Sequence, residues 1–351
     1  MPENYKNLDR FEARDQIVNE LSELGFLVSA DDHVIQLPKG DRSKSILEPM
    51  ITDQWFVKTK ELADRGIAEV ENENMKFIPK NWEKTYFEWM YNIQDWCISR
   101  QIWWGHQIPA WYDEDGNIYV ATTESEVREK YKLSDDLKLS QDKDVLDTWF
   151  SSALWPFSTL GWPEESTDLK KYYPTSLLVT GFDIIFFWVA RMIMMGLNFN
   201  DDVPFKDILI HGLVRDSKGR KMSKSLKNTI DPLELSEKHG ADALRFSLIE
   251  KAAPGQDVPF DEEWTIAAKK FGNKLWNAAK FVHLYSPEEK RTDEIKEITC
   301  PENVWIASRF DEVLAEFNEL FEKYKISDAY KLIYNFVWSD LFDWYFEFSK
   351  N

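Results

Sequence analysis

The 351-residue sequence has few cysteines, and it has fewer positive than negative charges. Its two cysteines, Cys97 and Cys300, lie far apart, so they provide neither a disulfide framework nor a metal-ligand pair. We therefore expect a reduced, cytoplasmic protein without a zinc site or other metal centre. The 62 acidic residues outnumber the 43 lysines and arginines, which gives a formal net charge of -19. This balance argues against indiscriminate nucleic-acid binding, so any RNA contact must use local basic patches.

Long hydrophobic runs are missing as well. The apolar run from Ile184 to Val189 is flanked by Asp183 and Arg191, and it is too short to cross a bilayer. The first seven residues lack the apolar core of a signal peptide. The length nevertheless allows two or three domains with substantial cores.

The positive charge that is present is concentrated between Lys206 and Lys227, where only Asp207 and Asp216 oppose it. A cationic cluster inside an anionic protein indicates a local anionic ligand, and phosphate is the obvious candidate. Lys221 and Lys224 are three apart and could surround one polyphosphate. Ser223 and Ser225 offer hydroxyl donors beside them. On composition alone, however, a solvated basic loop is the more frequent interpretation.

The run from His211 to Pro232 contains Lys-Met-Ser-Lys-Ser at positions 221–225 and closely resembles the second signature motif of class I aminoacyl-tRNA synthetases. The resemblance implies a loop that closes over ATP, with its Mg²⁺, during amino-acid activation. It implies that the catalytic residues are Lys221 and Lys224, which stabilise the transition state. The implied ATP-binding set is Lys221, Met222, Ser223, Lys224 and Ser225 in the loop, with His211 and Gly212 near the adenine. One departure is Lys227, where the family often has glycine.

A second pattern lies between Leu177 and Trp188. Leu177 to Val179 predict a short apolar strand that Gly181 ends, and Asp183 is predicted to cap a helix starting at Ile184. Ile184 and Trp188 are four apart, so they project from one helix face and with Trp149 could wall a small apolar pocket. Ordinary core packing is the more frequent role of such residues.

The segments Asp144 to Pro163 and Thr180 to Met192 narrow the resemblance to the valine-specific branch of the family. That branch implies that Trp149, Ile184 and Trp188 line the pocket for the valine side chain. It implies that Asp183 contacts the polar part of valine or the ribose of the adenylate. Such a pocket excludes isoleucine by size but not threonine, for which valine enzymes are the standard example, so an editing site is expected.

The predicted fold class is α/β, the second half of a class I synthetase Rossmann-type catalytic domain followed by an α-helical bundle. By resemblance, residues 1–45 are the tail of the editing insertion and residues 46–205 are the second half of the catalytic domain. Residues 206–260 are the lysine loop and stem-contact region, and residues 261–351 are the truncated start of an anticodon-binding helical domain. Helices are predicted over Leu8 to Leu24 and from Asp231-Pro232 to Gly240, with a hairpin turn at Tyr112 to Asn117.

The sequence contains no His-x-Gly-His motif, which in this family grips ATP from the first half of the nucleotide fold. We therefore expect the carboxyl-side catalytic half of a valine–tRNA ligase, with valine, tRNA-Val and the missing amino-terminal half as its partners. A split enzyme and an incomplete gene model both fit this expectation. The alternative is a non-catalytic fragment that binds tRNA or another partner. Because half a parallel sheet leaves an open edge, we also expect weak stability or self-association.

Overall fold

The structure, a computed structural model, describes residues 2–40, 43–223, 226–285 and 300–350. It divides into two compact units, Met1–Asp53 and Gln54–Asn351. The first unit is built on helix α1 (Arg10–Glu23), which follows a 3-10 turn at Glu3–Tyr5. Asp9 caps α1 by accepting a hydrogen bond from the Phe11 amide at 2.9 Å, and Gly25 follows its end at φ +72°. The helix predicted over Leu8 to Leu24 is confirmed.

The second unit alternates short strands with helices. Its strands are β1 (Phe56–Val57), β2 (Lys76–Ile78), β3 (Trp96–Cys97), β4 (Ser99–Arg100), β5 (Ala110–Tyr112), β6 (Ile118–Val120), β7 (Ser140–Gln141), β8 (Val145–Leu146), β9 (Thr175–Gly181), β10 (Phe205–His211), β11 (Val214–Arg215) and β12 (Val258–Pro259). Its α-helices are α2 (Lys60–Glu71), α3 (Trp82–Tyr91), α4 (Glu124–Tyr131), α5 (Thr148–Ser152), α6 (Trp155–Ser158), α7 (Thr167–Tyr172), α8 (Arg191–Asn200), α9 (Pro232–His239), α10 (Ala241–Lys251), α11 (Glu262–Tyr285), α12 (Pro301–Glu322), α13 (Ile326–Asn335) and α14 (Phe346–Phe348). A 3-10 turn (Phe182–Ile184) and π-helices Ile185–Ala190 and Phe336–Tyr345 complete it.

A parallel sheet of three strands, in the order β2–β10–β9, lies in the main core. The central strand β10 buries Ile208 and Ile210 completely. These side chains pack in one apolar cluster with α2, α3 and the helical segment that follows β9. The α/β fold class is confirmed, and the strand predicted at Leu177 to Val179 is the middle of β9. Because the strands are parallel, β9 and β10 both end at the same edge of the sheet.

The helical segment Phe182–Asn200 starts differently from the prediction. Asp183 lies inside the 3-10 turn Phe182–Ile184, and its side chain makes no capping hydrogen bond. The prediction that Asp183 caps a helix beginning at Ile184 is therefore wrong, because a capping residue must precede the first turn. The segment is long and apolar enough to pass for a membrane span by length and composition, contrary to the shorter run read from the sequence. More than half of it is buried inside the protein, as expected for a core helix.

Two further predictions concern the hairpin between β2 and β9 and the helix that follows β10 and β11. Strands β5 and β6 form the predicted antiparallel hairpin, and Gly116 adopts φ +81° in its turn. Helix α9 begins at Pro232, where the Asp231 carboxylate accepts from the Leu233 amide at 2.8 Å, and it ends at Gly240. Both predictions are confirmed.

The carboxyl-terminal part is helical, as the predicted bundle requires. Helices α10, α11 and α13 and the second π-helix meet in a cluster of aromatic rings. Phe271 of α11 stacks on Trp338 at 6.2 Å between ring centroids, and the ammonium of Lys274 lies 3.6 Å from the Trp338 centroid. Aromatic and cation–π contacts therefore join α11 to the end of the chain.

Candidate active site at the carboxyl edge of the parallel sheet

The carboxyl ends of β9 and β10 bring two groups of predicted site residues together. His211 is paired in register with Gly181, so the chain leaves both strands at the same level. A methyl group placed on Gly181 would lie 2.7 Å from Asp183 Oδ1 and 3.7 Å from His211 Cε1. Asp183 and His211 are both exposed. An acidic side chain and an imidazole thus lie close to Gly181, at the edge where parallel sheets bind ligands.

The lysine loop leaves this edge through β11, which pairs with β12 in a short parallel ladder. Asp257, just before β12, fixes the exit: its carboxylate accepts from the Leu213 amide at 2.8 Å and from Arg215 Nε. The Leu213 amide and Arg215 together hold the pKa of Asp257 below its usual range. The base of the loop is therefore attached to the body of the protein by charge-assisted hydrogen bonds.

Asp216 shapes the first turn of the loop. Its buried carboxylate accepts from the Lys218 amide at 3.0 Å and from the Arg220 amide and Nε, each at 2.8 Å. Asn228 lies where the loop returns to the body of the protein, and its Nδ2 donates to the same carboxylate at 3.0 Å. The Asn228 bond, followed by those from Arg220 and Lys218, outweighs burial and holds the pKa of Asp216 well below its usual range. Asp216 is thus an ionised hub for both sides of the loop.

Asn228 holds the segment that carries the motif. Its Oδ1 accepts from the Ser223 amide at 2.9 Å, and its Nδ2 also donates to the Lys221 carbonyl oxygen at 3.2 Å. Lys221 forms an antiparallel bridge with Arg215 and is exposed. The Ser223 hydroxyl accepts from the Leu226 amide at 3.2 Å. The backbone around Lys221 and Ser223 is therefore ordered by one amide side chain that the sequence analysis did not single out.

The other loop residues fare differently. Lys224 and Ser225 lie outside the described residues. The Met222 side chain packs against the apolar cluster of Leu235, Leu244 and Phe260. The thioether side chain therefore anchors the loop to the body of the protein. The assignment of Met222 to the ATP-binding set stays a prediction. Lys227 adopts φ +51°, a left-handed conformation that suits the glycine often found there in the family.

Gly212 is required for a reason that the sequence analysis did not anticipate. A methyl group there would lie 1.8 Å from the Gln256 carbonyl oxygen and 2.6 Å from the Asp257 amide nitrogen. The group that approaches Gly212 closely is thus the protein backbone, and the placement of Gly212 near the adenine stays a prediction. The neighbouring His211 directs Nδ1 toward the Gly212 carbonyl oxygen at 2.8 Å.

Two of the predicted pocket residues, Trp149 and Trp188, lie where α5 faces the first π-helix. Trp149 of α5 stacks on Phe187, with ring centroids 5.7 Å apart. Trp188 donates from Nε1 to the Ser152 carbonyl oxygen at 3.1 Å and lies beside Trp155. Ile184 is the last residue of the 3-10 turn, directly before the first π-helix, and is half-buried. The structure therefore brings Trp149 and Trp188 to one interface but makes Phe187, which the sequence analysis missed, the direct partner of Trp149.

Asp147 holds the backbone of Trp149 in place, and the sequence analysis did not single it out either. Its buried carboxylate caps α5 by accepting from the Trp149 amide at 3.3 Å. It accepts from Trp96 Nε1 at 3.0 Å and from Arg100 Nη2 at 2.8 Å. An aspartate two residues before a tryptophan at a helix start is a capping signal, so the sequence did contain a pointer to this residue. Within the described ranges, no group of three or more His, Cys, Asp or Glu residues could hold a metal ion.

Comparison with known proteins identifies the class of this site. Residues 4–261 match the family "tRNA synthetases class I (I, L, M and V)", and residues 303–351 match "Anticodon-binding domain of tRNA ligase". The chain therefore belongs to the class I tRNA synthetases. Solved structures agree at the level of fold: a Mycobacterium tuberculosis methionyl-tRNA synthetase bound by methionyl-adenylate has a TM-score of 0.65 at 20% identity. That match covers 90% of this chain and 56% of the other.

Relatives of higher identity point to one branch. A valine–tRNA ligase of Thermotoga maritima is 53% identical over 349 residues, 99% of this chain and 40% of the relative. Those of Clostridium tetani and Legionella pneumophila are 50% and 47% identical over 99% of this chain. The chain thus spans about 40% of the length of these relatives. The resemblance read from the lysine loop and the segment after β9 is confirmed.

Proposed function

We propose that this chain carries the lysine-loop side of the active site of a valine–tRNA ligase. In this role it activates valine with ATP, accompanied by Mg²⁺, and passes the valyl group to tRNA-Val. The register of β9 with β10 carries the proposal, because it sets Asp183 and His211 at the edge from which the lysine loop departs. The relatives named valine–tRNA ligases support the choice of amino acid.

In the proposed reaction the valine carboxylate attacks the α-phosphate of ATP, and pyrophosphate leaves. Lys221 and Lys224 stabilise the negative charge on the departing phosphates, with Ser223 and Ser225 as donors. Asn228 and Asp216 position the loop and touch no reacting atom. His211 and Gly212 lie at the base of the loop, where the adenosine part of the nucleotide is proposed to bind.

The valine side chain is proposed to lie against Trp149, Ile184 and Trp188. Phe187 stacks on the Trp149 ring and so helps to hold it in place. Asp183, exposed at the edge, suits the ammonium of valine or the ribose hydroxyls of the adenylate. A second polypeptide segment bearing the His-x-Gly-His motif belongs to the proposal. Among the described residues, β9 pairs on one side with β10 and on its other side with no strand, which leaves room for that half of the sheet.

Valine-dependent exchange of pyrophosphate into ATP tests the function. The chain is assayed alone and mixed with an amino-terminal half taken from one of the valine–tRNA ligases that it resembles. We expect activity in the mixture, and we expect Lys221→Ala and Lys224→Ala to lower kcat by about 10²–10³-fold, the usual cost of losing one transition-state donor. Lys218→Ala, an exposed lysine in the preceding turn, is the matched control and should retain activity. Full activity of both motif variants would reject the mechanism.

A second candidate is a non-catalytic fragment that binds tRNA, and the match of residues 303–351 to an anticodon-binding domain favours it. Binding of labelled tRNA-Val, with no exchange in any mixture, would establish this role in place of the enzymatic one. Both roles fit a cytoplasmic protein, which fractionation of the source cells would test.

A further inference from the structure

A cavity of about 240 Å³ lies on the Trp96 side of the helical segment Phe182–Asn200. It is bounded by the end of α3, the connection from α3 to β3, and one side of the helical segment Phe182–Asn200. None of the residues predicted for ATP or valine lines it. Nothing in the proposed reaction uses this space.

Arg191 contributes a buried cation to the lining of the cavity. It is only 7% exposed, and its Nη1 has no hydrogen-bond acceptor among the described residues. The nearest carboxylate oxygen is Asp147 Oδ2 at 3.5 Å. That carboxylate is already occupied by Trp96, Arg100 and the Trp149 amide. Burial lowers the pKa of Arg191 to about 10, so the guanidinium is charged at neutral pH.

The guanidinium groups of Arg100 and Arg191 therefore share one buried carboxylate, and Asp95 adds a second negative charge at the edge of the cavity. Arg191 Nη1 has almost no accessible surface, so a ligand in the cavity would accept from another N–H of the same guanidinium. The ligand group that suits this guanidinium best is a carboxylate, since an arginine N–H donates strong hydrogen bonds to carboxylate oxygens.

The walls and the rim restrict what else the ligand can be. The Trp96 ring lies 4.0 Å from Arg191 Cζ, and Trp89 stacks on Phe186 with centroids 4.6 Å apart, so the walls are aromatic. The rim carries the exposed carboxylate of Asp95, which accepts a long hydrogen bond from the Thr59 amide at 3.4 Å. A negative rim disfavours phosphate and other dianions, whereas aromatic walls favour an apolar body.

We propose that this cavity binds a small monocarboxylate, whose oxygen accepts from Arg191 and whose apolar part lies between Trp89, Trp96 and Phe186. Its volume of about 240 Å³ equals that of roughly eight liquid water molecules, which accommodates a branched acid such as isobutyrate. The inference does not depend on the proposed ligase activity, because it uses none of those residues.

Calorimetric titration of the whole chain with isobutyrate tests the proposal, with the uncharged isostere isobutyramide as the matched control. For so small a ligand we expect a Kd on the order of 1 mM, and binding of the amide at least about tenfold weaker. Arg191→Met should abolish binding of isobutyrate, with circular dichroism to verify the fold.

Two exposed rim residues give variants of opposite sign that should leave the fold intact. Asp95→Asn removes a negative charge and should tighten isobutyrate binding by about threefold, while Gln94→Glu adds one and should weaken it by about threefold. Equal affinities for isobutyrate and isobutyramide, or tighter binding of inorganic phosphate, would overturn the proposal. So would rim variants that leave the affinity unchanged.

Discussion

At the scale of single residues, Asn228 and Asp216 decide the shape of the lysine loop. One amide side chain contacts Lys221, Ser223 and Asp216, and one ionised carboxylate gathers both sides of the loop. Neither residue carries the charge that makes the loop conspicuous in the sequence. Their role is to hold a cationic segment in one backbone conformation.

Replacement of Asn228 by alanine should loosen the loop. Three hydrogen bonds are lost, each worth about 1 kcal/mol, so the open form should become at least roughly tenfold more populated. Limited trypsin digestion, followed by mass spectrometry of cuts within residues 215–227, measures this. Thr229→Ala, next to it in the chain, should digest like the unmodified protein. Equal cleavage of the two variants would contradict the role of Asn228.

Acid should release the same loop. Because the folded-state pKa of Asp216 is lowered, its contribution to loop order is complete above the unfolded pKa of about 3.9 and is lost as the pH falls from there through the lowered folded-state pKa. The amide resonances of Gly219 and Asn228, followed by NMR, should stay constant from pH 7 to about pH 4 and shift only in more acidic solution, as the pH approaches the lowered pKa. In Asp216→Asn the loop signals should be altered already at neutral pH. Unchanged spectra of that variant would refute the assignment.

At the scale of elements, the exit from β10 is fixed by a backbone crossing. The chain at residues 256–257 passes directly over Gly212, and the adjoining strands β11 and β12 are parallel partners. The position of the lysine loop relative to the sheet thus depends on this crossing as well as on β10. A side chain at the crossing would displace two segments at once.

Gly212→Ala should destabilise the protein by about 3 kcal/mol or more, because its methyl group meets backbone atoms that cannot move independently. Gly272→Ala provides a control of opposite sign: it lies in α11 with no atom within 4 Å of the added methyl group. Removing a glycine there should raise the free energy of unfolding by about 0.5–1 kcal/mol. Urea unfolding measures both changes, and equal stabilities would contradict the crossing.

At the scale of the whole molecule, the protein exposes large apolar side chains to solvent despite its high net negative charge. Trp103 and Trp104 are fully or almost fully exposed, and Ile102 beside them is half-exposed. The parallel sheet also has an unpaired side at β9 among the described strands. Contiguous exposed aromatics usually mark a contact surface, so the sequence-based expectation of self-association now has a specific location.

The double variant Trp103→Ser/Trp104→Ser should weaken self-association at least about tenfold, since each buried aromatic contributes about 2 kcal/mol or more. Sedimentation velocity over a range of concentrations measures the effect. Trp276 on α11 is also largely exposed, at 66%, and Trp276→Ser is the control. This variant should change the self-association little. A chain that stays monomeric at every concentration would contradict the prediction.

The sequence by itself determined the local elements and the family. The short apolar run Leu177 to Val179 specified β9, the Asp231-Pro232 and Gly240 pair specified α9, and the lysine run specified the class of synthetase. Each of these signals lies within a few consecutive residues. Side-chain periodicity and terminal capping act over that distance, so no tertiary contact is needed to read them.

Only the tertiary structure decided which groups meet. Gly212 faces residues 256–257, Trp149 stacks on Phe187, and Arg191 is left with a carboxylate that other donors already occupy. Asp183 does not cap a helix because the 3-10 turn after β9 begins at Phe182, so Asp183 lies inside the turn and not before it. Such contacts join residues far apart in the chain, and their partners are chosen by packing and by competition for hydrogen bonds, which no local pattern encodes.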